Sequence, residues 1–343
     1  MATARKLPSG SWRVRIFIEK DVTGKKLYKS FTAKSKKAAE KMALEFTVQH
    51  RYIDDITFGE AVSRYIESKK NILSPSTVRG YLTDEKNYLK ELRNIKLSKL
   101  SNEVLQKQLD NVAVNHAPKT VNNARGLITA TLKMFPPAFY VNIKGAPKEK
   151  KEILVPSEKE MSVLLQTISG RKIELPILLS AFGSLRRGEV CALFVDCVHD
   201  DYISIKRTLV KTPTGEWEIK NRPKSFAGYR DVRLPPDIME KVHSACKDCP
   251  PNSPIIGYKP SGLYSAYQRA LKKANLYPYK YHALRHYFAT FCHSIGIPDQ
   301  YIMEKGGWED SNTLTKIYQH TLPDRKDDMD KKIDTYYSNI KKV

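Results

Sequence analysis

Between residues 54 and 140 the chain repeats one pattern four times: a capping residue or a proline, an apolar stripe at three- to four-residue spacing, then a break. Thr57-Phe-Gly-Glu60 reads as a capping box ahead of Phe58, Ala61, Val62, Tyr65 and Ile66. Ser74-Pro75-Ser76 precedes Val78, Tyr81, Leu82, Leu89 and Leu92, and Ser101 precedes Val104, Leu105, Leu109 and Val112. Ala117-Pro118 precedes Val121, Ala124, Ile128, Leu132 and Phe135. Four short amphipathic helices can bury such stripes only against one another, so this stretch is predicted to be a helical domain over 54–140.

The flanks read differently. Trp12, Val14, Ile16 and Ile18 alternate with Arg13, Arg15 and Phe17, the period of a half-buried strand. Thr23-Gly24-Lys25 reads as a turn, Leu27 to Phe31 as a second strand, and Ser35 as the cap of a helix with Ala39, Met42, Ala43 and Phe46 on one side. Residues 1–52 are therefore expected to form a small β-sheet-plus-helix module. Pro136-Pro137 and the run Gly145-Ala-Pro-Lys-Glu-Lys-Lys151 punctuate the chain, and 141–156 reads as a linker. From 157 to 343 the patterns are mixed. Ser157-Glu-Lys-Glu160 is a second capping box, and Ile173 to Phe182 is a buried-helix pattern. Tyr202–Ile205, Trp217–Ile219 and Asp231–Leu234 read as strands of one small antiparallel sheet. The tail stripe Met329, Ile333, Tyr336, Tyr337 and Ile340 reads as an amphipathic helix, open to docking in cis or on another protomer. The fold class expected is mostly α with small β-sheets (α+β).

Charge narrows the partners. Lys and Arg number 59 against 37 Asp and Glu, a formal net charge of +22. That excess points to a polyanion, double-stranded DNA first. Arg13 and Arg15 on an exposed sheet face could enter a groove, or form a solvated basic face. The second and fourth helices begin alike, with Thr77 and Arg79 in one and Lys119, Thr120, Asn122, Asn123 and Arg125 in the other. These types at helix starts suit phosphate and base-edge contacts, and suit ordinary capping equally well. No apolar run approaches ~18 residues, and the first residues lack an apolar signal core, so no membrane partner is expected and the cytoplasm is the expected compartment. Five cysteines, 191, 197, 246, 249 and 292, suit a reducing compartment. Cys246-Lys-Asp-Cys249 beside His243 lacks the second pair that a four-ligand zinc site needs, so it reads as incidental thiols, and no metal or cofactor is expected.

The last third carries the chemistry. His282 and Arg285, three apart, share a helix face suited to an anionic group, and Gly306-Gly307-Trp308 and then Tyr318 follow. Upstream stand Leu185-Arg186-Arg187-Gly188-Glu189 and Pro223-Lys224-Ser225, then Arg230-Asp-Val-Arg-Leu-Pro235. Taken in order, Arg186, Lys224, His282-x-x-Arg285, Gly-Gly-Trp308 and Tyr318 resemble the tyrosine recombinase (phage integrase) family. Phe-Gly-Ser-Leu stands before Arg186 where members usually have Thr-Gly-Leu or Thr-Gly-Met. Arg187 competes with Arg186 and Lys220 with Lys224, Ser225 replaces a Thr, and Trp308 stands where many members have His.

The resemblance implies that Tyr318 attacks a DNA phosphate to give a 3′-phosphotyrosyl bond while Arg186 and Arg285 hold its non-bridging oxygens. His282 would handle the tyrosine proton and Lys224 would protonate the departing 5′-oxygen; Trp308 would give an indole donor or an apolar wall. Glu189 would be a structural partner. It also implies arm-binding, core-binding and catalytic domains, a homo-oligomer on DNA, tetrameric in synapsis with the tail helix exchanged, and an accessory excision factor. The host would be a phage or conjugative element, in bacterial cytoplasm and acting at the nucleoid. A type IB topoisomerase would share the chemistry; a catalytically silent DNA-binding regulator would share the fold. A metal-dependent nuclease or transposase would need converging carboxylates, and a nucleotide-driven enzyme a phosphate loop; the sequence offers neither.

Overall fold

The computed structural model describes residues 3–20, 26–137, 139–147, 153–221, 228–318, 331 and 334–335. The chain divides into two compact units, one of residues 1–150 with 212–214, the other of 151–211 and 215–343.

The first unit opens on a three-stranded antiparallel sheet, β1 (Arg5–Lys6), β2 (Trp12–Lys20) and β3 (Lys26–Ala33), in that order. Val14 pairs with Phe31 and Arg15 with Ser30, so the alternation puts Val14 inward at 0% exposure and leaves Arg13 and Arg15 out. The helix α1 (Lys36–Asp55) follows, with the Ala38 N–H donating to Ser35 Oγ at 3.2 Å. Ala39 and Ala43 pack on Val14, as the stripe predicts, but Met42 is exposed. It sits three residues from Ala39 and one from Ala43, on the margin of a face that two small residues are enough to fill. The predicted turn at 23–25 lies outside the described residues.

The four stripes of the second stretch become four helices, α2 (Phe58–Lys69), α3 (Pro75–Tyr88), α4 (Asn102–Asn115) and α5 (Pro118–Met134). The caps set their starts. The Glu60 N–H donates to Thr57 Oγ1 and the Thr57 N–H to Glu60 Oε2, a complete capping box. Ser74 and Ser101 cap the next two, and Pro118 occupies the first turn of α5, where a missing N–H costs nothing. Their apolar stripes meet in one core around Phe58, Leu89, Leu105, Leu109, Leu127 and Ile128.

The second unit is built around one large core. The elements of this unit are α6 (Glu158–Ile168), α7 (Glu174–Phe182), the single turn α8 (Arg187–Val190), strands β4 (Tyr202–Ile205), β5 (Thr208–Lys211), β6 (Trp217–Lys220) and β7 (Arg230–Arg233), then α9 (Pro236–Lys247), α10 (Pro260–Lys273), α11 (Ala283–Ser294), α12 (Asp299–Gly306) and α13 (Ser311–Tyr318), the last two packing in a smaller core at Trp308. The class is mostly helical with small sheets, as the sequence predicts. The single expected sheet is instead two antiparallel pairs, β4 with β7 and β5 with β6. β4 and β7 carry the inward residues Ile203, Ile205 and Val232, whereas β5 and β6 form a largely solvated hairpin closed by Gly215. The buried pair therefore joins the core and the hairpin does not.

Among the described residues no helix is long and apolar enough to cross a membrane. The thiols of Cys246 and Cys249 are unpaired, and His243 Nε2 bonds the Asp200 carbonyl at 3.0 Å. Of the tail beyond α13 only residues 331, 334 and 335 are described, so the expected tail helix lies outside them.

Candidate active site

Three segments remote in sequence bring the charged groups together. The first is the turn from α7 into α8. Ser184 there is fully buried with φ +57°, the left-handed region, which a Ser enters only at a cost. The bend turns its carbonyl toward Arg285, whose NH1 donates to it at 2.6 Å and to Ser184 Oγ at 3.3 Å. Arg186 then caps α8. Its own N–H donates to Glu189 Oε2 at 2.9 Å and its NH1 to Glu189 Oε1 at 2.7 Å. Arg187 is exposed and lies over the Tyr264 ring, 5.6 Å from its centroid. The spacing to Glu189 thus selects Arg186, not Arg187, for the cluster.

The second segment is α11, capped by His282. Arg285 sits a turn further in at 1% exposure. Its guanidinium lies over the Trp308 ring, with Cζ 3.9 Å from the centroid. Burial first, then Arg186 and Arg230, work against the Arg285 charge, while Glu189 supports it. Around that guanidinium stand two carbonyls, a hydroxyl and an aromatic face, the acceptors a cation requires. His282 remains open to solvent at the helix start, although protein packs closely around its base. That partial desolvation, followed by the charges of Arg285 and Arg186, brings the imidazole down to about 4. It is therefore neutral at pH 7. His286, one turn on, packs edge-to-face on it at 4.6 Å between ring centroids. Burial brings His286 to about 3, and its Nδ1 is buried without a hydrogen-bond partner among the described residues.

The third segment is the turn after α12. Gly307 has φ +65°, and a Cβ on Gly306 would overlap the Trp308 ring, so both positions need glycine. The Gly307 carbonyl receives Arg186 NH2 at 2.9 Å and Arg285 NH2 at 3.5 Å. Trp308 is 9% exposed and packs with Phe288, Ala289, Cys292, Ile302 and Leu314.

Arg230, at the start of β7, joins the first segment to the third. Its NH2 donates to Glu189 Oε2 at 3.0 Å and to the Ser184 carbonyl at 3.3 Å, and its Nε to the Lys305 carbonyl at 2.9 Å. Burial works to raise the Glu189 carboxyl, but the charges of Arg230 and Arg186 and their hydrogen bonds outweigh it and hold the group below the usual range. Sequence reasoning placed Arg230 only in the motif that carries the resemblance. Its link to Glu189 is a contact between residues 41 apart, which no local spacing encodes.

Beside Arg186 and His282 opens a cleft of about 470 Å³, also lined by Arg187, Tyr264, Lys280 and Tyr281. Lys224 lies outside the described residues; its rival Lys220 ends β6 and is half-buried. Tyr318 is the last residue of α13, whose Leu314 is buried in the Trp308 cluster. That contact ties the tyrosine's helix to the turn beneath Arg285.

In the first unit, Arg13, Arg15, Arg79, Lys119 and Asn123 are exposed. Thr77 is taken up with Ser74, and Thr120 is half-buried in the first turn of α5. The side chains of Asn122 and Arg125 donate to the carbonyls of Ala146 and Ile143, both at 2.9 Å, and so pin the chain that leaves the helical domain. Among the described residues no three His, Cys, Asp or Glu are grouped as a metal site.

Residues 157–325 match the phage integrase family. A tyrosine recombinase XerC-like protein of Caldanaerobacter subterraneus subsp. tengcongensis is 24% identical, over 92% of this chain and 93% of its own. An integrase of Salmonella phage P22 is 29% identical across 25% of this chain and 22% of its own. Among solved structures, the Tn1549 transposon integrase bound to transposon right end DNA superposes with a TM-score of 0.64, covering 77% of this chain and 95% of that one, at 16% identity. The lambda integrase tetramer bound to a Holliday junction superposes at 0.59, covering 92% and 94%, at 15% identity.

Proposed function

This chain belongs to the phage integrase (tyrosine recombinase) family, and on that premise we propose that it cuts and rejoins DNA at specific sites through Tyr318, Arg186, Arg285, His282, Trp308 and Lys224. It is a site-specific recombinase. The observation that carries the residue assignment is the convergence of Arg186 and Arg285 on one carbonyl beside a neutral imidazole.

A phosphodiester resists attack because it is anionic, and its pentacoordinate transition state gathers more charge on the non-bridging oxygens. Two guanidiniums held by their neighbours meet that charge with paired N–H groups and remain cationic throughout. The Tyr318 oxygen attacks phosphorus, His282 accepts the phenol proton, and Lys224 protonates the departing 5′-oxygen. An imidazole that is neutral at pH 7 is in the state needed to accept a proton. The ester energy stays in the 3′-phosphotyrosine, so a second 5′-hydroxyl can reseal the strand without ATP.

The domains follow this chemistry. Residues 1–52 form the arm-type DNA-binding module, with Arg13 and Arg15 on its outer face. Residues 54–140 form the core-binding domain, 141–156 the linker and 157–343 the catalytic domain with its tail. The protein works as a homo-oligomer on duplex DNA, a tetramer in synapsis with tails exchanged. It acts at the nucleoid in the cytoplasm, with an accessory excision factor setting direction, and it integrates and excises a phage or conjugative element.

The test is covalent capture. Nicked duplexes tiled across the DNA flanking the gene are incubated with the protein and with Tyr318→Phe. A denaturation-resistant adduct with the first and none with the second is expected. Tight binding without any adduct would make the chain a silent DNA-binding regulator. Relaxation of any supercoil without strand exchange between two sites would make it a topoisomerase.

A further inference from the structure

We propose that Arg230 is a positioning residue for DNA cleavage, acting through Glu189 to aim the Arg186 guanidinium and through two backbone carbonyls to fix the turns that present Arg285 and Trp308. This rests on the reading that Arg186 and Arg285 hold the scissile phosphate.

Burial does not separate the two roles, since Arg285 is 1% exposed; occupancy of the donors does. Arg186 keeps 34% of its side chain exposed, beside the cleft that also reaches His282. Arg230 keeps 4%, and each of its three guanidinium nitrogens already has an acceptor: Lys305 O, Gly228 O at 3.2 Å, and Ser184 O with Glu189 Oε2. Arg230 thus points its donors into the protein, away from any phosphate. It bonds the first and third segments directly, and meets the second through the Ser184 carbonyl that it shares with Arg285. The Glu189 carboxylate, 3% exposed, divides its oxygens: Oε1 takes Arg186, while Oε2 takes Arg230 and the Arg186 N–H. A carboxylate with one guanidinium alone would close on it side-on, as forked pairs prefer. Arg230 holds Oε2 back from that, so Arg186 bonds Glu189 through NH1 only and turns NH2 to the Gly307 carbonyl. At Ser184, Arg230 and Arg285 share one carbonyl, and at Lys305 Arg230 grips the residue before Gly306-Gly307-Trp308. Four hydrogen bonds from a fixed fork of N–H groups are needed for this, which a lysine cannot supply.

The experiment is an epistasis measurement on the full chain. Single-turnover adduct formation is followed on the nicked duplex that the capture assay identifies, with the dissociation constant for that duplex measured separately. The proteins are wild type, Arg230→Gln, Arg186→Lys and the double variant. Arg230→Gln is expected to slow adduct formation about 100-fold, the scale of a small misplacement of a reacting group, with duplex affinity held within about threefold. In the Arg186→Lys background the same change is expected to slow it clearly less, no more than about tenfold further, because the group aimed through Glu189 has been replaced while the hold on the Ser184 and Lys305 carbonyls is still lost. Equal slowing in both backgrounds, or joint loss of binding and cleavage, would overturn the proposal by making Arg230 a general structural residue. If Arg230→Gln does not fold, Glu189→Gln in the same two backgrounds reads the same link, with the same expectation and the same refutation. If wild type forms no adduct on any duplex, the functional reading itself falls and this link with it.

Discussion

Arg186 and Arg285 donate to the same atom, the Gly307 carbonyl oxygen, at 2.9 and 3.5 Å. Two like charges are held side by side because each also has a separate anchor, Glu189 for one and Ser184 with the Trp308 face for the other. The shared carbonyl makes the Gly306-Gly307-Trp308 turn part of the arginine pair.

Gly306→Ala should therefore act at a distance. Its new Cβ overlaps the Trp308 ring, so the indole must leave its place under Arg285 or the turn must shift. A loss of roughly 1–3 kcal/mol in stability is expected from overpacking. Adduct formation should fall more steeply than thermal stability. Unchanged cleavage in a folded variant would separate the turn from the site.

Trp308 contributes a flat face to Arg285 and volume to a small core. Trp308→Ala should cost about 3–5 kcal/mol, and Trp308→Phe much less, because a ring remains. Chemical denaturation of the two variants checks the order. Equal losses would show that the cation over the ring matters little beside the indole's bulk.

The His282 imidazole sits at about 4 and that of His286 at about 3, both below the ordinary 6.5. Between those values and 6.5 the unfolded chain binds protons that the folded chain does not, so stability falls as pH drops through that window. Cleavage should stay flat from pH 8 to pH 6 with respect to His282, with no step near 6.5. A rate step near 6.5 that vanishes in His282→Gln would contradict this.

Asp84 in α3 behaves in the opposite sense. Burial raises its carboxyl to about 6. The folded chain now holds the extra proton, so stability is lost as pH rises from about 4 through about 6. Asp84→Asn should thus be more stable than wild type at pH 7, by an amount of order 1 kcal/mol, and indistinguishable from it near pH 4. Melting temperatures of the pair at the two pH values decide it.

Ser184 shows where reading the sequence reached its edge. Phe-Gly-Ser-Leu before Arg186 looks like a departure in loop shape, yet Ser184 adopts the left-handed turn itself, and its carbonyl and hydroxyl both serve Arg285. A backbone conformation of that kind depends on what surrounds the residue, so the string of letters did not reveal it.

The sequence alone determined the helices of the first unit, because caps and periodic stripes are local. Thr57, Ser74, Ser101 and Pro118 start α2 to α5 for reasons contained within a few residues of each. It also placed the strand alternation of β2 and the pairing of Arg186 with Glu189 three residues on. Tertiary structure alone decided that Asn122 and Arg125 hold the departing chain, that β4 pairs with β7 and not with the hairpin, and that Arg230 closes on Glu189. Each of those is a contact between segments 18 or more residues apart, set by which surfaces the packed cores bring face to face.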